Sequence, residues 1–268
     1  MSGVVFLETL RRHARTMLYW ALGVASMAVY IVLVIPDMST LTKYNDLIKG
    51  MPTVLLSALG ASDTVAMGTP AGFLGYSFFG WIMLVLAVYG VISGLDITAN
   101  DEDRGTLDVL LSLPLPRWRI VIEKFAAYAL AVVVIALTSL IVLLWGIRQS
   151  PALQTISDGQ VIAGTLNFIP STLLVMAFTA AVAVVVRRRN AAAGIAAVFV
   201  IASWFVDTLG RSAPSLDTVR TFSFFRYYDS MSVVLHGFVI GNVVLLVVIA
   251  VLLLAGAVTA FERRDIGL

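Results

Sequence analysis

The sequence predicts an all-α integral membrane protein with six membrane-spanning helices, and two observations carry that prediction. Hydrophobic residues make up 60% of the 268 residues and charged residues only 13%, whereas soluble domains carry about 25% charged residues. The mean hydropathy is correspondingly high, at +0.97. In addition, the apolar residues are gathered into six runs of a length that suits a helix crossing the bilayer core.

The six runs lie at about 17–36, 72–95, 119–147, 161–186, 191–207 and 238–261. Once these spans are assigned, no segment of useful size remains for a soluble domain. Residues 1–268 are therefore predicted to form a single transmembrane domain.

The residues before the first span predict an amphipathic helix over 2–16. Val4, Leu7 and Leu10 share one stripe, while basic side chains lie on the other faces. Such a helix beside a span is typical of one that lies in the headgroup region. The alternative is a solvated leader that only supplies charge for orientation. A cleaved signal peptide is disfavoured, because the following run is long enough to span and lacks a small-residue cleavage site.

Lysine and arginine are unevenly divided between the two sides of the predicted bundle. Twelve of the 18 lie at 11–15, 104–124, 187–189 and 263–264, on the side that holds both chain ends. Because the cytoplasmic side carries the excess of basic residues, both termini are predicted to be cytoplasmic in a bacterial-type cytoplasmic (inner) membrane. The arginine turn at 187–189 fits topogenic charge alone, or a contact with a partner or anionic lipid.

The outer side is predicted to carry two loops, at 37–71 and 207–237. The first has a helical pattern with Leu41, Tyr44 and Ile48 on one side. This helix rests either on the outer leaflet or on the bundle as a lid, and the sequence does not choose. Within the fourth span, Asn167 and Pro170 are expected to break the helix near its outer end.

Catalytic and metal-binding signatures are missing from the sequence. It has no P-loop, no cysteine, and two distant histidines, His13 and His236, which are predicted to be solvated or interfacial. Ionisable residues are nearly absent from the span interiors, which argues against ion-coupled transport and predicts an energy source outside the bilayer. We therefore predict a non-enzymatic chain with no bound cofactor, metal or nucleic acid. Four charged residues are placed at span ends, within reach of headgroups: Asp96, Glu123, Lys124 and Asp207.

A charged island between the second and third spans, Asn100–Arg119, is the candidate docking element. Asn100 can cap a helix, and acidic residues then follow in the positive first turn. Leucines at helical spacing provide one apolar face. The island predicts a short amphipathic helix over 100–114 that docks on a soluble partner. The acidic residues are Asp101, Glu102 and Asp103, and the leucines are Leu107, Leu110 and Leu111.

The stretch DEDRGTLDVLLSLPLPRWRIVIEKF at 101–125 resembles the segment between the second and third spans of type-2 ATP-binding-cassette (ABC) exporter permeases. In those proteins an acidic cluster, Arg-Gly-Thr-Leu, a leucine-rich helix and Leu-Pro precede a span. The stretches FSFFRYYD after the fifth span and FERRDIGL after the sixth agree with the same family. The resemblance covers nearly the whole chain in topology, and its specific motif is confined to the island.

This resemblance implies that 100–114 is a coupling helix seated in a groove of an ABC ATPase subunit. It implies two permease copies above two ATPase subunits that hold ATP and magnesium. A homodimer is favoured over a heterodimer, a choice that the sequence itself leaves open. The implied ATPase contacts are Asp101, Glu102, Asp103, Arg104, Gly105, Thr106, Leu107, Leu110, Leu111, Leu113, Pro114 and Arg117. Export would follow a path at the dimer interface, with Phe78, Trp81, Phe199 and Trp204 as candidate lining.

The aromatic, uncharged spans suit a hydrophobic cargo such as a drug, a polyketide or a lipid. Two other interpretations belong to different classes. One is a membrane anchor or assembly factor that recruits a soluble partner without transport, and the other is an integral membrane enzyme. A neighbouring gene for a P-loop ATPase would favour the transporter over both.

Overall fold

The structure, a computed structural model, describes residues 3–35, 37–52, 67–100, 105, 116–186, 188–212 and 214–263. Its regular structure over these ranges is helical, including a 3-10 turn at Pro214–Leu216. The helices are α1 (Val4–Val34), α2 (Met38–Gly50), α3 (Pro70–Ile97), α4 (Arg117–Gln149), α5 (Asp158–Val186), α6 (Arg189–Ser212), α7 (Asp217–Arg220), α8 (Phe224–Tyr228), α9 (Ser230–His236) and α10 (Ile240–Glu262).

Six of these helices, α1, α3, α4, α5, α6 and α10, are long and apolar enough to cross a membrane. The predicted all-helical fold with six spans is therefore confirmed. Several helices extend past the predicted bounds, because hydropathy marks the apolar stretch whereas the backbone continues into polar flanks. α5 occupies the centre of the bundle, where it packs against α3, α4, α6 and α10.

Helix α1 joins the predicted 2–16 helix and the first span without a break. Its 31 residues give a length of about 46 Å at 1.5 Å per residue, more than a hydrocarbon core of about 30 Å requires. The two predicted elements are thus one helix that packs along α4. A position of its first turns along the headgroups stays a prediction.

The predicted break at Asn167 and Pro170 is wrong, because α5 runs through both residues. Both side chains are buried inside the bundle. The Asn167 side-chain amide donates a hydrogen bond to the carbonyl of Tyr228. Neighbouring helices enclose this part of α5, which allows a proline to remain within a membrane helix.

Helix α2 settles the question that the sequence left open for the first outer loop. Leu41 and Ile48 are buried, and the Tyr44 ring packs edge-on against Phe73 with centroids 5.0 Å apart. Burial raises the pKa of the Tyr44 phenol. The apolar face of α2 therefore packs on the bundle as a lid, as one of the two alternatives predicted.

Close helix contact at Gly94 ties α3 to α5. A Cβ added to Gly94 would lie 2.6 Å from the Thr179 Cβ and 2.7 Å from the Met176 carbonyl oxygen. Neither atom belongs to a flexible chain end, so the two helices would have to separate. The absence of a side chain at Gly94 thus allows the central helix to pack closely on α3.

Gly94→Ala is expected to lower the free energy of unfolding by about 1–3 kcal/mol, the usual effect of overpacking. Thermal unfolding of the purified protein in detergent measures this change. Gly256→Ala in α10 is the matched control, because an added Cβ there has no described atom within 4 Å. Equal losses in the two variants would contradict the close-contact explanation.

Candidate functional site

The two ends of the bundle differ in the polar groups that join the helices. Helices α1, α4 and α6 begin at the same side of the bundle at which α3 ends, and we call this side the basic end. At the opposite end, the Ser150 hydroxyl donates to the Ile35 carbonyl at 2.7 Å. Each end carries its own polar network. Both networks also include residues of α3 and α6, as described next.

At the basic end, Glu123 of α4 caps the start of α1. Its carboxylate oxygens accept hydrogen bonds from the backbone N–H groups of Gly3, Val5 and Phe6 at 3.0, 2.9 and 3.1 Å. Arg119 donates to the same carboxylate at 2.6 Å. A negative charge at the positive end of a helix dipole is stabilising, so Glu123 fixes α1 to α4.

The next residue, Lys124, caps the end of α3. Its side chain is buried, with 7% of the residue exposed, and its ammonium lies 3.2 Å from the Asp96 carbonyl and 3.4 Å from the Ile97 carbonyl. These carbonyls belong to the last turn of α3, where a helix favours positive charge. Glu123 and Lys124 therefore bind protein groups, which corrects the prediction that they reach headgroups.

Asn100, the first residue of the island, is held from two sides. Its amide N–H donates to the Asp96 carboxylate, and its carbonyl oxygen accepts from Arg189 Nε. The Asp96 carboxylate also lies 3.9 Å from His13 Nε2. Lys124 belongs to the same group, since it contacts the backbone of Asp96. We call six residues the root of the island: His13, Asp96, Asn100, Glu123, Lys124 and Arg189.

His13 is thereby placed between helices. Its Nδ1 lies 3.2 Å from the Thr9 carbonyl oxygen, and its ring centroid is 5.5 Å from that of Tyr128. His13 therefore contacts neighbouring helices, which the prediction of a solvated or interfacial side chain did not include. His236 is exposed as predicted. The sequence has no periodic signal that pairs residue 13 with residue 96.

Most of the predicted ATPase contacts lie outside the described residues. The exceptions are Gly105, which is exposed, and Arg117, which is half-buried at the start of α4. Gly105 has a φ of +64°, in the left-handed region that favours glycine. Gly105 is therefore not helical, and the rest of the predicted helix over 100–114 beyond Asn100 stays a prediction. The residues outside the description are Asp101, Glu102, Asp103, Arg104, Thr106, Leu107, Leu110, Leu111, Leu113 and Pro114.

At the opposite end, α3, α6 and the α8–α9 segment enclose a cleft. Its empty space of about 610 Å³ includes the open mouth. Trp81 and Trp204, two predicted path residues, both line it together with Asp207, Arg211 and Asp229. The structure thus brings these tryptophans into one cleft with an ionic wall.

Asp207 is the centre of that wall. Its carboxylate accepts from Arg211 Nε at 2.9 Å and from Arg220 Nε at 2.7 Å. Only 8% of the Asp207 side chain is exposed, which corrects its predicted position among the headgroups. Arg211 also reaches Asp229 at 3.4 Å. Asp229 is the one non-glycine residue with positive φ, at 25°, in the described part of the chain.

The other two predicted path residues are placed elsewhere. Phe78 is 0% exposed, within the core of the bundle. Phe199 stacks between Phe178 and Phe224, with centroids 4.1 and 5.6 Å away. In this conformation Phe78 touches no open surface, so the structure does not support it as lining.

A π-helical turn in α3, Gly75–Gly80, adjoins the same cleft. The Tyr228 hydroxyl donates to the Phe79 carbonyl at 2.6 Å, and the Ser230 hydroxyl donates to the Gly75 carbonyl at 3.2 Å. Burial raises the pKa of the Tyr228 phenol, so it remains a donor. The outer helices α8 and α9 are thereby bonded directly to α3.

These features define a helical membrane protein whose polar networks lie at the two ends of its spans. No group of His, Cys, Asp and Glu suited to a metal occurs among the residues described. A family model described as ABC-2 family transporter protein matches residues 5–266. The chain therefore belongs to the ABC-2 transporter family, as a permease of the type-2 ABC class, which confirms the predicted family. No curated protein matches the sequence.

Proposed function

We propose that this permease is the membrane subunit of an ATP-driven exporter in the cytoplasmic membrane, with both termini cytoplasmic. A separate ABC ATPase subunit binds ATP and magnesium and docks on the island. The observation that carries the proposal is the attachment of Asn100 to both Asp96 and Arg189. The island that would receive the ATPase starts at a residue bonded to two spans.

The root provides a mechanical route from the island into the bundle. A force on Asn100 reaches α3 through Asp96 and α6 through Arg189. It reaches α4 because Lys124 contacts the last carbonyls of α3. ATP-driven closure of the ATPases would move the island and, through it, the basic end of three spans.

Two permease copies, as a homodimer, and two ATPase subunits complete the proposed assembly. The cargo is a hydrophobic small molecule, such as a drug, a polyketide or a lipid. Trp81 and Trp204 line the cleft at the opposite end, with the Trp81 residue 40% exposed. Large aromatic surfaces of this kind suit an apolar ligand. The tryptophans are proposed to contact the cargo as it leaves.

Leu110→Asp is expected to abolish co-purification of the ATPase, because a carboxylate in an apolar groove would lose its hydration without gaining a partner. The permease is co-expressed with the P-loop ATPase encoded nearest to its gene, purified from membranes, and the bound ATPase is quantified. Ser112→Asp adds the same charge two residues later, on a different face of the predicted helix, and should leave binding intact.

The amount of permease in the membrane must remain the same in both variants. Undiminished binding by Leu110→Asp would overturn docking through the leucine face. ATPase binding without any transport or stimulated hydrolysis would support a membrane anchor instead of a transporter.

A further inference from the structure

We infer that Arg189, the first residue of α6, is a positioning residue that transmits displacement of the island to the fifth span. The inference rests on the proposed function and deepens it. It gives one arginine of the 187–189 turn a task distinct from both topogenic charge and partner contact.

Both polar groups of the Asn100 side-chain amide form hydrogen bonds. Its N–H group is directed to Asp96, one turn earlier in the chain, and its carbonyl oxygen receives Arg189 Nε. Rotation of the Asn100 side chain would break both bonds together. Arg189 therefore holds the first residue of the island in one orientation between α3 and α6.

Near these bonds, a separate hydrophobic cluster joins the end of α3 to α5 and α6. It contains Leu95 of α3, Ala99 just after α3, Ala183 of α5 and Ala192 of α6. Ala99 and Ala192 are 3% and 0% exposed. Alanine has no side-chain rotamer that could absorb a shift, and closely packed contacts transmit displacement. A movement of Asn100 is thus expected to change the spacing of α3 and α6 at this cluster.

Arg188 provides an internal comparison. Like Arg189 it is exposed, but it has no side-chain hydrogen bond or ion pair to any residue that the structure describes. It carries the same charge at the same end of the bundle, so a purely topogenic role would make Arg188 and Arg189 equivalent. The Asn100 bond distinguishes them.

The test uses the absence of native cysteine from the 268-residue chain. Ala99→Cys and Ala192→Cys are introduced together, and disulfide formation is timed in the assembled transporter with and without ATP. Arg189→Ala, Arg189→Lys and Arg188→Ala are then added separately. Co-purification of the ATPase and its rate of ATP hydrolysis are measured in each variant.

We expect ATP to change the cross-linking rate in the cysteine pair and Arg189→Ala to reduce that change about tenfold, a typical size for coupling between sites. Co-purification should persist. Arg189→Lys should restore the ATP-dependent change, because its ammonium can still donate to Asn100. Arg188→Ala should leave it unchanged. Asn100→Ala should reduce the ATP-dependent change as much as Arg189→Ala does. Combining Asn100→Ala with Arg189→Ala should reduce it no further than either change alone.

Four results would overturn the inference. They are an unchanged response in Arg189→Ala, an equal loss in Arg188→Ala, loss of ATPase binding in Arg189→Ala, and a cysteine pair that does not respond to ATP. Failure of the proposed function is distinguishable, since the ATPase would then either not co-purify with the cysteine pair or co-purify without any stimulated hydrolysis.

Discussion

Asp207→Asn is expected to lower the free energy of unfolding by about 3–5 kcal/mol, the usual effect of removing one member of a buried ionic group. The Asp207 carboxylate is the common acceptor for Arg211 and Arg220, which leave 19% and 18% of their side chains exposed. An amide keeps the shape but lacks the charge, and its N–H₂ group would replace one of the two acceptor oxygens and face a guanidinium donor. Both guanidinium groups would remain partly desolvated and would keep only their longer contacts, Arg211 with Asp229 at 3.4 Å and Arg220 with Asp217 at 3.9 Å.

Thermal or denaturant unfolding in detergent provides the measurement. Asp217→Asn is the matched control, because its carboxylate is 56% exposed and pairs with Arg220 at 3.9 Å and Arg226 at 3.0 Å. Exposed ion pairs contribute about 0–1 kcal/mol. A loss at Asp207 no larger than that at Asp217 would show that the outer ionic wall contributes little to stability.

Hydropathy was sufficient to locate the six spans, because each must present about 20 apolar residues to lipid. It could not locate the partners of the polar residues. Glu123 and Lys124 are adjacent in the chain, yet they cap different helices, one at its start and one at its end. Such contacts depend on how helices are arranged around one another, which the residue pattern of a single helix does not record.

The outer cleft was only partly predictable for the same reason. Asp207 and Arg211 stand four residues apart, a spacing that favours an ion pair on a helix, whereas Arg220 arrives from α7. Gly75 and Gly80 stand at the two ends of GYSFFG, and nothing in this sequence indicated a π-helical turn. That turn depends on α8 and α9, whose Tyr228 and Ser230 hydroxyls bond its carbonyls.

The two networks are joined by the same pair of helices. From Trp81 to Ile97, α3 advances about 24 Å, and from Arg189 to Asp207, α6 advances about 27 Å, at 1.5 Å per residue. Each helix therefore connects the root at the basic end with the cleft at the opposite end. A change in the spacing of α3 and α6 at Asn100 would also alter the cleft, since Trp81 and Trp204 line it from these helices.

Reversal of the acidic turn, with Asp101, Glu102 and Asp103 all changed to Lys, is expected to abolish permease-dependent stimulation of ATP hydrolysis. Three positive charges would stand in the first turn of the predicted helix, where negative charge is favoured. They would also face the basic or polar groups that the proposed ATPase contact presents to the acidic turn, and like charges there cost several kcal/mol. Stimulated hydrolysis and co-purification are measured together in reconstituted membranes.

The topology should survive this reversal, because added lysines on the side already rich in basic residues reinforce the orientation. Glu262→Lys, an exposed change at the end of α10, controls for added positive charge outside the island and should leave hydrolysis unchanged. Because Asn100 and the rest of the root are untouched by the triple change, a loss of stimulation would locate the defect in reception of the ATPase. Persistent stimulation and transport would show that energy enters through another surface of the basic end.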